Sequence, residues 1–210
     1  MLISELAKMV HENAVAHGWW DDEREAPEII ALIHSEWSEA LEEARAGRPL
    51  AYIAVETGSQ RDPVTSIIPR NAEGQYIASW GKEYHGKPEG VAVELIDGCI
   101  RILDYAGRLE TDLQETNGKA SEIEGLYTDT NVAKVPEKLP ELIACLHIYT
   151  SGSMMGRSFH DLSIPDVFSL FEGMAAALSW VKKQGLDPLA ILLEKHEYNK
   201  TRPYKHGKRF

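Results

Sequence analysis

The sequence predicts an all-α fold, a helical bundle that carries a small β-hairpin-like insertion. Apolar residues recur at helical spacing through most of the 210 residues. One long stretch, residues 50–88, instead alternates apolar and polar residues around Ile67–Ile68 and Tyr76–Ile77, with the turn sequence NAEG between them. The length suits a single domain, residues 1–210, with insertions at about 50–88 and 113–135.

Six helices follow from this periodicity. The second has the clearest amphipathic pattern, an apolar stripe from Ile30 to Ala44 that stops before Gly47. The third is apolar nearly all round, which is typical of a buried helix. Pro165 and Pro188 stand where helices commonly begin. The predicted helices span residues 2–16, 27–46, 89–111, 136–150, 165–185 and 187–200, and the polar residues 113–135 are predicted to form a loop or short excursion.

The charge balance is acidic. The chain has 22 Lys and Arg residues against 33 Asp and Glu residues, which gives a formal net charge of −11. Because an acidic surface repels phosphate backbones, this composition argues against binding of DNA or RNA polymers. A small phosphorylated ligand stays compatible with it, since a local basic patch or a bound cation can reverse the local field.

Cysteine usage and the lack of long apolar runs indicate a cytoplasmic protein. Cys99 and Cys145 are the only cysteines, and both lie in apolar contexts, which argues against a disulfide framework or a thiolate metal site. The first residues, MLISELAKMV, lack the basic region and apolar run of a signal peptide. No stretch approaches the roughly 20 apolar residues that span a bilayer, so we expect no membrane partner.

Two carboxylates interrupt the apolar third helix. Glu94 and Asp97 are three residues apart and therefore share a helical face. Burying two ionised carboxylates is costly unless a cation compensates them. Two sources of that cation are open: Arg101, one turn beyond Asp97, in a helical ion pair, or a divalent metal ion.

The second helix holds a matching pair, Glu36 and Glu39, at the edge of its apolar stripe. Alone, this pair is also typical of a solvated acidic helix face. If the second and third helices pack antiparallel, however, the four carboxylates of the two pairs converge on one point. An all-oxygen cluster of this kind suits Mg²⁺, or Mn²⁺ as an alternative.

These motifs carry a family resemblance. HSEWSEALEEAR, followed by KPEGVAVELIDGCIRILDYAG, resembles the ExxE and ExxD motifs of MazG-like nucleotide pyrophosphohydrolases. That family belongs to the all-α nucleoside triphosphate (NTP) pyrophosphatase superfamily, which also includes dimeric dUTPases. The leader AHGWWDD and the tail EKHEYNKTRPYKHGKR are similar to family sequences as well, so the resemblance covers roughly residues 10–48, 85–112 and 165–208.

The resemblance implies a metal-dependent hydrolase. Its metal ligands would be Glu36, Glu39, Glu94 and Asp97, and Mg²⁺ would be its cofactor. The implied reaction cleaves a nucleoside triphosphate between the α and β phosphates, as housekeeping of the nucleotide pool, in a homodimer or larger homo-oligomer. Many relatives carry a further glutamate where this chain has Ser35. This difference leaves the number of metal ions open.

The reaction also needs a base and a cationic phosphate site. We favour Glu39 over Glu36 as the general base, although nothing in the sequence separates the two. Lys195, Asn199 and Arg202 are spaced to line one helical face near Pro203 and are expected to bind the triphosphate substrate. The alternative for these three residues is a solvated basic C-terminus that stabilises the helix dipole.

Alternatives stay open for several other residues and for the function. Trp19, Trp20 and Trp37 suit base stacking, but a packing role is expected for Trp37; His34 is expected to be a surface or packing residue, and Glu43 or water is a further candidate metal ligand. A related hypothesis is a pyrophosphatase specific for phosphoribosyl-ATP, dUTP or dCTP. A hypothesis of another class is a non-enzymatic helical protein whose acids bind metal or a partner.

Overall fold

The protein is mostly helical, as predicted. The structure, a computed structural model, describes residues 1–22, 24–57, 60–64, 86–109, 122–155 and 166–207. Within these ranges, no helix combines the length and the apolar character needed to cross a membrane. The α-helices are α1 (Ile3–Ala16), α2 (Ala26–Arg45), α3 (Val91–Arg108), α4 (Asp129–Lys134), α5 (Leu139–Gly152), α6 (Val167–Lys183) and α7 (Pro188–Lys200).

All six predicted helices are present, with ends within a few residues of those expected. The prediction for residues 113–135 was wrong in the part that the structure describes. There the chain forms a 3₁₀ helix, Ile123–Tyr127, and then the short helix α4. Ile123 and Tyr127 are buried, and Thr128 caps α4 by accepting a hydrogen bond from the Asn131 amide. The burial of these two side chains anchors this otherwise polar segment on the core.

The insertion contains a three-stranded antiparallel sheet in the order β2-β1-β3. Its strands are β1 (Tyr52–Thr57), β2 (Gln60–Val64) and β3 (Lys87–Glu89). A hairpin is therefore present, but it begins near the start of the insertion. The predicted hairpin around Ile67–Ile68, Tyr76–Ile77 and the NAEG turn lies outside the described residues.

β3 leads directly into α3 through Gly90. This glycine has a φ of +112°, and a Cβ atom there would lie 2.7 Å from the Pro49 carbonyl oxygen and 2.8 Å from that of Leu50. The Ala92 amide donates a hydrogen bond to the Leu50 carbonyl (2.8 Å). The sheet thus fixes the start of α3 against the segment that follows α2.

Helix α3 lies at the centre of the bundle and packs against α1, α2, α6 and α7. It runs antiparallel to α2, because its first turn contacts Leu50, beyond the end of α2, while its middle contacts Trp37. The contact with Trp37 is made at Gly98, where the indole ring occupies the space that a side chain would need. Cys99 is buried in this core, Cys145 is half-buried on α5, and neither forms a disulfide.

Candidate functional site

Three of the four predicted carboxylates meet between α2 and α3. Each of Glu36, Glu39 and Glu94 places one carboxylate oxygen within 4.8 Å of the others. Glu36 and Glu94 are only 8% and 4% exposed, whereas Glu39 is exposed. The antiparallel packing of the two helices produces this meeting. Glu94 also lies in the first turn of α3, where the helix dipole favours a negative charge.

The fourth carboxylate, Asp97, lies in the same pocket but outside this group of three. Its Oδ2 accepts a hydrogen bond from Lys195 Nζ (2.8 Å), and this ammonium group also donates to the Pro88 carbonyl (3.0 Å). Lys195 is 1% exposed and is not among the pocket-lining residues. It therefore lies behind the pocket wall, where its charge compensates Asp97.

Arg101 compensates a different acid from the one predicted. The sequence suggested a helical ion pair between Asp97 and Arg101, but Arg101 Nε donates to Glu36 Oε1 across the helix interface, at 2.8 Å. The physical reason is burial, because Glu36 would otherwise be an uncompensated charge inside the protein. Each of these ion pairs thus joins α3 to a neighbouring helix. Arg101 of α3 pairs with Glu36 of α2, and Asp97 of α3 pairs with Lys195 of α7.

Burial and mutual repulsion raise the pKa values of the two buried glutamates. Burial is the main cause for Glu94, and the nearby Asp97 adds to it, so that the pKa of Glu94 rises to about 8 despite Lys195 and Lys87. Burial also raises the pKa of Glu36, although Arg101 opposes the shift. Both carboxyl groups therefore hold protons more tightly than an ordinary glutamate, as expected for acids that lack enough positive charge.

The donor set fits a hard divalent cation. All three converging groups are carboxylates, the ligands that Mg²⁺ and Mn²⁺ prefer. A divalent cation at this point would compensate the repulsion that raises the pKa values. Ser35 donates from Oγ to Glu39 Oε1 (3.1 Å). Glu43 lies elsewhere, accepting a hydrogen bond from Tyr52 (2.9 Å), so it does not join the cluster.

The carboxylates open into a pocket of about 450 Å³ between α1, α2, α3 and α7. Several cationic side chains line it alongside the acids: Arg24, Lys87, Arg101 and Arg202. A pocket with both acids and cations can hold a metal ion together with the anionic groups of a ligand. Arg24 and Lys87 were not identified from the sequence. Arg24 lies in the segment before α2 and Lys87 is the first residue of the three-residue strand β3, so no periodic pattern marks either side chain as facing a site.

Two residues of the C-terminal segment have polar side chains that form no ion pair or side-chain hydrogen bond with the described residues, although the guanidinium group of Arg202 lies 6.0 Å from the centre of the Tyr198 ring. Arg202 forms no ion pair with any described residue, and burial lowers the pKa of its guanidinium group. Asn199 is 9% exposed, and its Oδ1 atom accepts no hydrogen bond within the described chain. Both side chains line the pocket, although the Asn199 Oδ1 atom itself is buried.

The residues expected to have packing roles lie away from the pocket. Trp37 is fully buried and donates from Nε1 to Thr150 Oγ1 (2.9 Å). His34 is half-buried, and its Nδ1 atom lies 2.6 Å from Nδ1 of His147 on α5. By contrast, Trp19, a candidate for base stacking, does line the pocket, and the guanidinium group of Arg24 lies 5.0 Å from the centre of its ring.

Comparison of the chain with models of known protein families, with curated proteins and with solved structures finds no match.

Proposed function

We propose that this protein is a Mg²⁺-dependent NTP pyrophosphohydrolase of the all-α NTP pyrophosphatase type, which hydrolyses a nucleoside triphosphate to a monophosphate and pyrophosphate. The observation that carries the proposal is the convergence of Glu36, Glu39 and Glu94 in a pocket that is also lined by Arg202. The resemblance of these motifs to MazG-like enzymes supports the same reaction and a homo-oligomeric assembly.

The roles follow from burial and partners. Glu36, Glu94 and Asp97 would hold the metal with Glu39, and bound Mg²⁺ would neutralise phosphate oxygens and acidify a water molecule. Glu39 is the exposed member and is oriented by Ser35, so it is the base that accepts the proton of the attacking water. The water oxygen bonds to phosphorus as the α–β anhydride bond breaks and pyrophosphate leaves.

The C-terminal segment supplies the positive end of the site. Arg202 has no carboxylate partner among the described residues and can pair with phosphate oxygens. Asn199 lines the pocket, and its side-chain amide can bond a sugar, base or phosphate group. Lys195 acts through Asp97, because its ammonium group is buried against that carboxylate.

The test is pyrophosphate release from a panel of nucleotides, with Mg²⁺ and with a chelator. The panel includes dUTP, dCTP and phosphoribosyl-ATP, so it also separates the specific pyrophosphatases from a general one. We expect pyrophosphate only in the presence of the metal and a loss of about 100-fold or more for Glu94→Gln. The matched control, Glu42→Gln, changes an exposed acid on α2 and should leave turnover intact. Absence of release across the panel, or release of orthophosphate instead, would contradict the proposal.

The two ion pairs give a specific reason to keep a structural alternative. Glu36–Arg101 and Asp97–Lys195 tie three helices together without any metal. A non-enzymatic protein would need only these contacts. In that case Glu94→Gln and Asp97→Asn would change thermal stability and leave turnover of every nucleotide at the background rate.

A further inference from the structure

The pocket extends along α3 beyond the carboxylate cluster. Asp97, Ile100, Arg101 and Asp104 line it in order, since residues at these spacings share one face of the helix. Asp104 lies seven residues past Asp97, which places it about 10 Å farther along the helix axis. This length is comparable to the span of a nucleoside monophosphate from its phosphate to its base. Asp104 was not identified from the sequence, although its spacing from Asp97 was an available signal.

Asp104 is held in one orientation by two donors on the same oxygen. His11 Nδ1 lies 2.8 Å from Asp104 Oδ1, and Trp20 Nε1 donates to that atom at 2.9 Å. An ionised carboxylate only accepts hydrogen bonds, so His11 donates from Nδ1. The other oxygen, Oδ2, accepts no hydrogen bond from the part of the chain that the structure describes. The side chain is 19% exposed and lines the pocket, so a fixed acceptor is available to a ligand there.

The surroundings of this acceptor suit a flat heterocycle. Val10 and Ala14 of α1 and Ile100 of α3 line the pocket with apolar surface. Asn13 also lines it, and its side-chain amide forms no hydrogen bond with the described residues. A small number of fixed polar groups among apolar surfaces is the usual composition of a site that recognises an organic ring.

We infer that this end of the pocket binds the nucleobase of the substrate and that Asp104 selects bases with an exocyclic amino group over bases with an oxo group at that position. The inference rests on the proposed function. An amino group can donate to the fixed Oδ2 atom, whereas an oxo group would place two acceptors against each other and leave both without a donor. Cytosine is thus expected to bind better than uracil, from which it differs in this group.

The substitution Asp104→Asn tests this assignment with little change in packing. Asparagine keeps an oxygen to accept from His11 and Trp20, and it turns an amide donor toward the pocket where Oδ2 had been. We would measure kcat/KM for dCTP and dUTP with Mg²⁺, and the binding of dCMP and dUMP by calorimetry. The wild-type protein should favour cytosine about tenfold or more in both measurements. In the variant this ratio should fall about tenfold or reverse.

The two measurements separate the inference from the proposed function. If no nucleotide is hydrolysed, the proposed function fails, and the ratio of dCMP to dUMP binding still decides the role of Asp104. If both nucleotides are hydrolysed but Asp104→Asn leaves their ratio unchanged, the inference alone fails. Lack of any binding of either monophosphate also overturns it. Asp129→Asn, at an exposed acid on α4, is the matched control and should leave the ratio at its wild-type value.

Discussion

At the scale of single residues, Glu94 shows how burial changes the charge of an acid. Its side chain is 4% exposed, and burial together with Asp97 raises its pKa from an ordinary 4.5 to about 8. The folded protein therefore binds more protons than the unfolded chain between these pH values. Without metal, this group makes the free energy of unfolding fall as the pH rises from about 4.5 to about 8.

The predicted consequence is a pH-dependent stabilisation by Mg²⁺. If the carboxylates bind Mg²⁺ in their ionised form, as proposed, the rise in Tm on adding Mg²⁺ should be larger at pH 8.5 than at pH 6. Calorimetric scans with and without metal at both pH values measure this difference. Glu94→Gln should make the metal-dependent rise smaller and much less dependent on pH. An equal rise in Tm at both pH values in the wild-type protein would contradict the assignment.

The Lys195–Asp97 pair gives a second prediction at this scale. The ammonium group of Lys195 and the carboxylate of Asp97 compensate each other, and Lys195 is only 1% exposed. Lys195→Met removes the cation and leaves Asp97 beside Glu94 without compensation, so the free energy of unfolding should fall by about 3 to 5 kcal/mol in urea titrations. Adding Asp97→Asn to this variant should restore part of the loss. If the effects of the two substitutions on the free energy of unfolding simply added, the ion pair would not be the cause of the lost stability.

At the scale of elements, the distance between α2 and α3 depends on Gly98. A Cβ atom at this position would lie 2.2 Å from the ring of Trp37. Gly98→Ala should therefore push the two helices apart and cost about 1 to 3 kcal/mol of stability. Since Glu36 and Glu94 lie on these two helices, Mg²⁺ affinity measured by calorimetry should fall as well. Gly152→Ala is the control, because a Cβ atom there meets nothing within 4 Å, and retained Mg²⁺ affinity in Gly98→Ala would contradict the argument.

The C-terminal 3₁₀ helix, Tyr204–Gly207, is a second element whose position matters. It is anchored on the segment after α1, where the Lys205 amide donates to the His17 carbonyl (2.9 Å) and Lys205 Nζ pairs with Asp22 (2.8 Å). The ring of Tyr204 covers Gly18. These contacts anchor the residues that follow Arg202 and so help to keep its guanidinium group at the pocket.

Gly18→Ala should release this anchor. The glycine has a φ of +76°, and a Cβ atom there would lie 2.0 Å from the Tyr204 ring. We expect faster proteolysis of the C-terminal segment and a KM for nucleotide raised several-fold, because Arg202 loses its fixed position. Gly47→Ala is the matched control, since Gly47 also has a positive φ, +67°, but open space around it. Equal effects of the two variants would show that backbone strain, not the contact with Tyr204, is responsible.

At the scale of the whole molecule, an acidic chain brings several cationic side chains together in one pocket. The net charge is −11, yet Arg24, Lys87, Arg101 and Arg202 all line the same cavity as the carboxylates. They come from four separate parts of the chain, which meet only because α3 lies at the centre of the bundle and contacts α1, α2, α6 and α7. Together with the metal ion proposed above, which would offset the acids of the same pocket, these side chains can accept an anionic ligand that the overall surface would repel.

The sequence by itself determined six of the seven α-helices that the structure describes, their order and the two acid pairs. Helix positions follow from local periodicity, and carboxylates three residues apart must share a face, so Glu36 with Glu39 and Glu94 with Asp97 were predictable. The buried state of the third helix also followed, because it is apolar on nearly every side. These properties depend on neighbours along the chain, which the sequence shows directly.

Only the tertiary structure decided which charges compensate which. Lys195 pairs with Asp97, and Arg101 with Glu36, across helices that lie far apart in sequence. Asp104 becomes a fixed acceptor only through His11 and Trp20, which come from α1 and the segment after it. No periodic pattern encodes such contacts. They depend on how close packing brings separate elements together, and burial then determines which of those charges must be compensated.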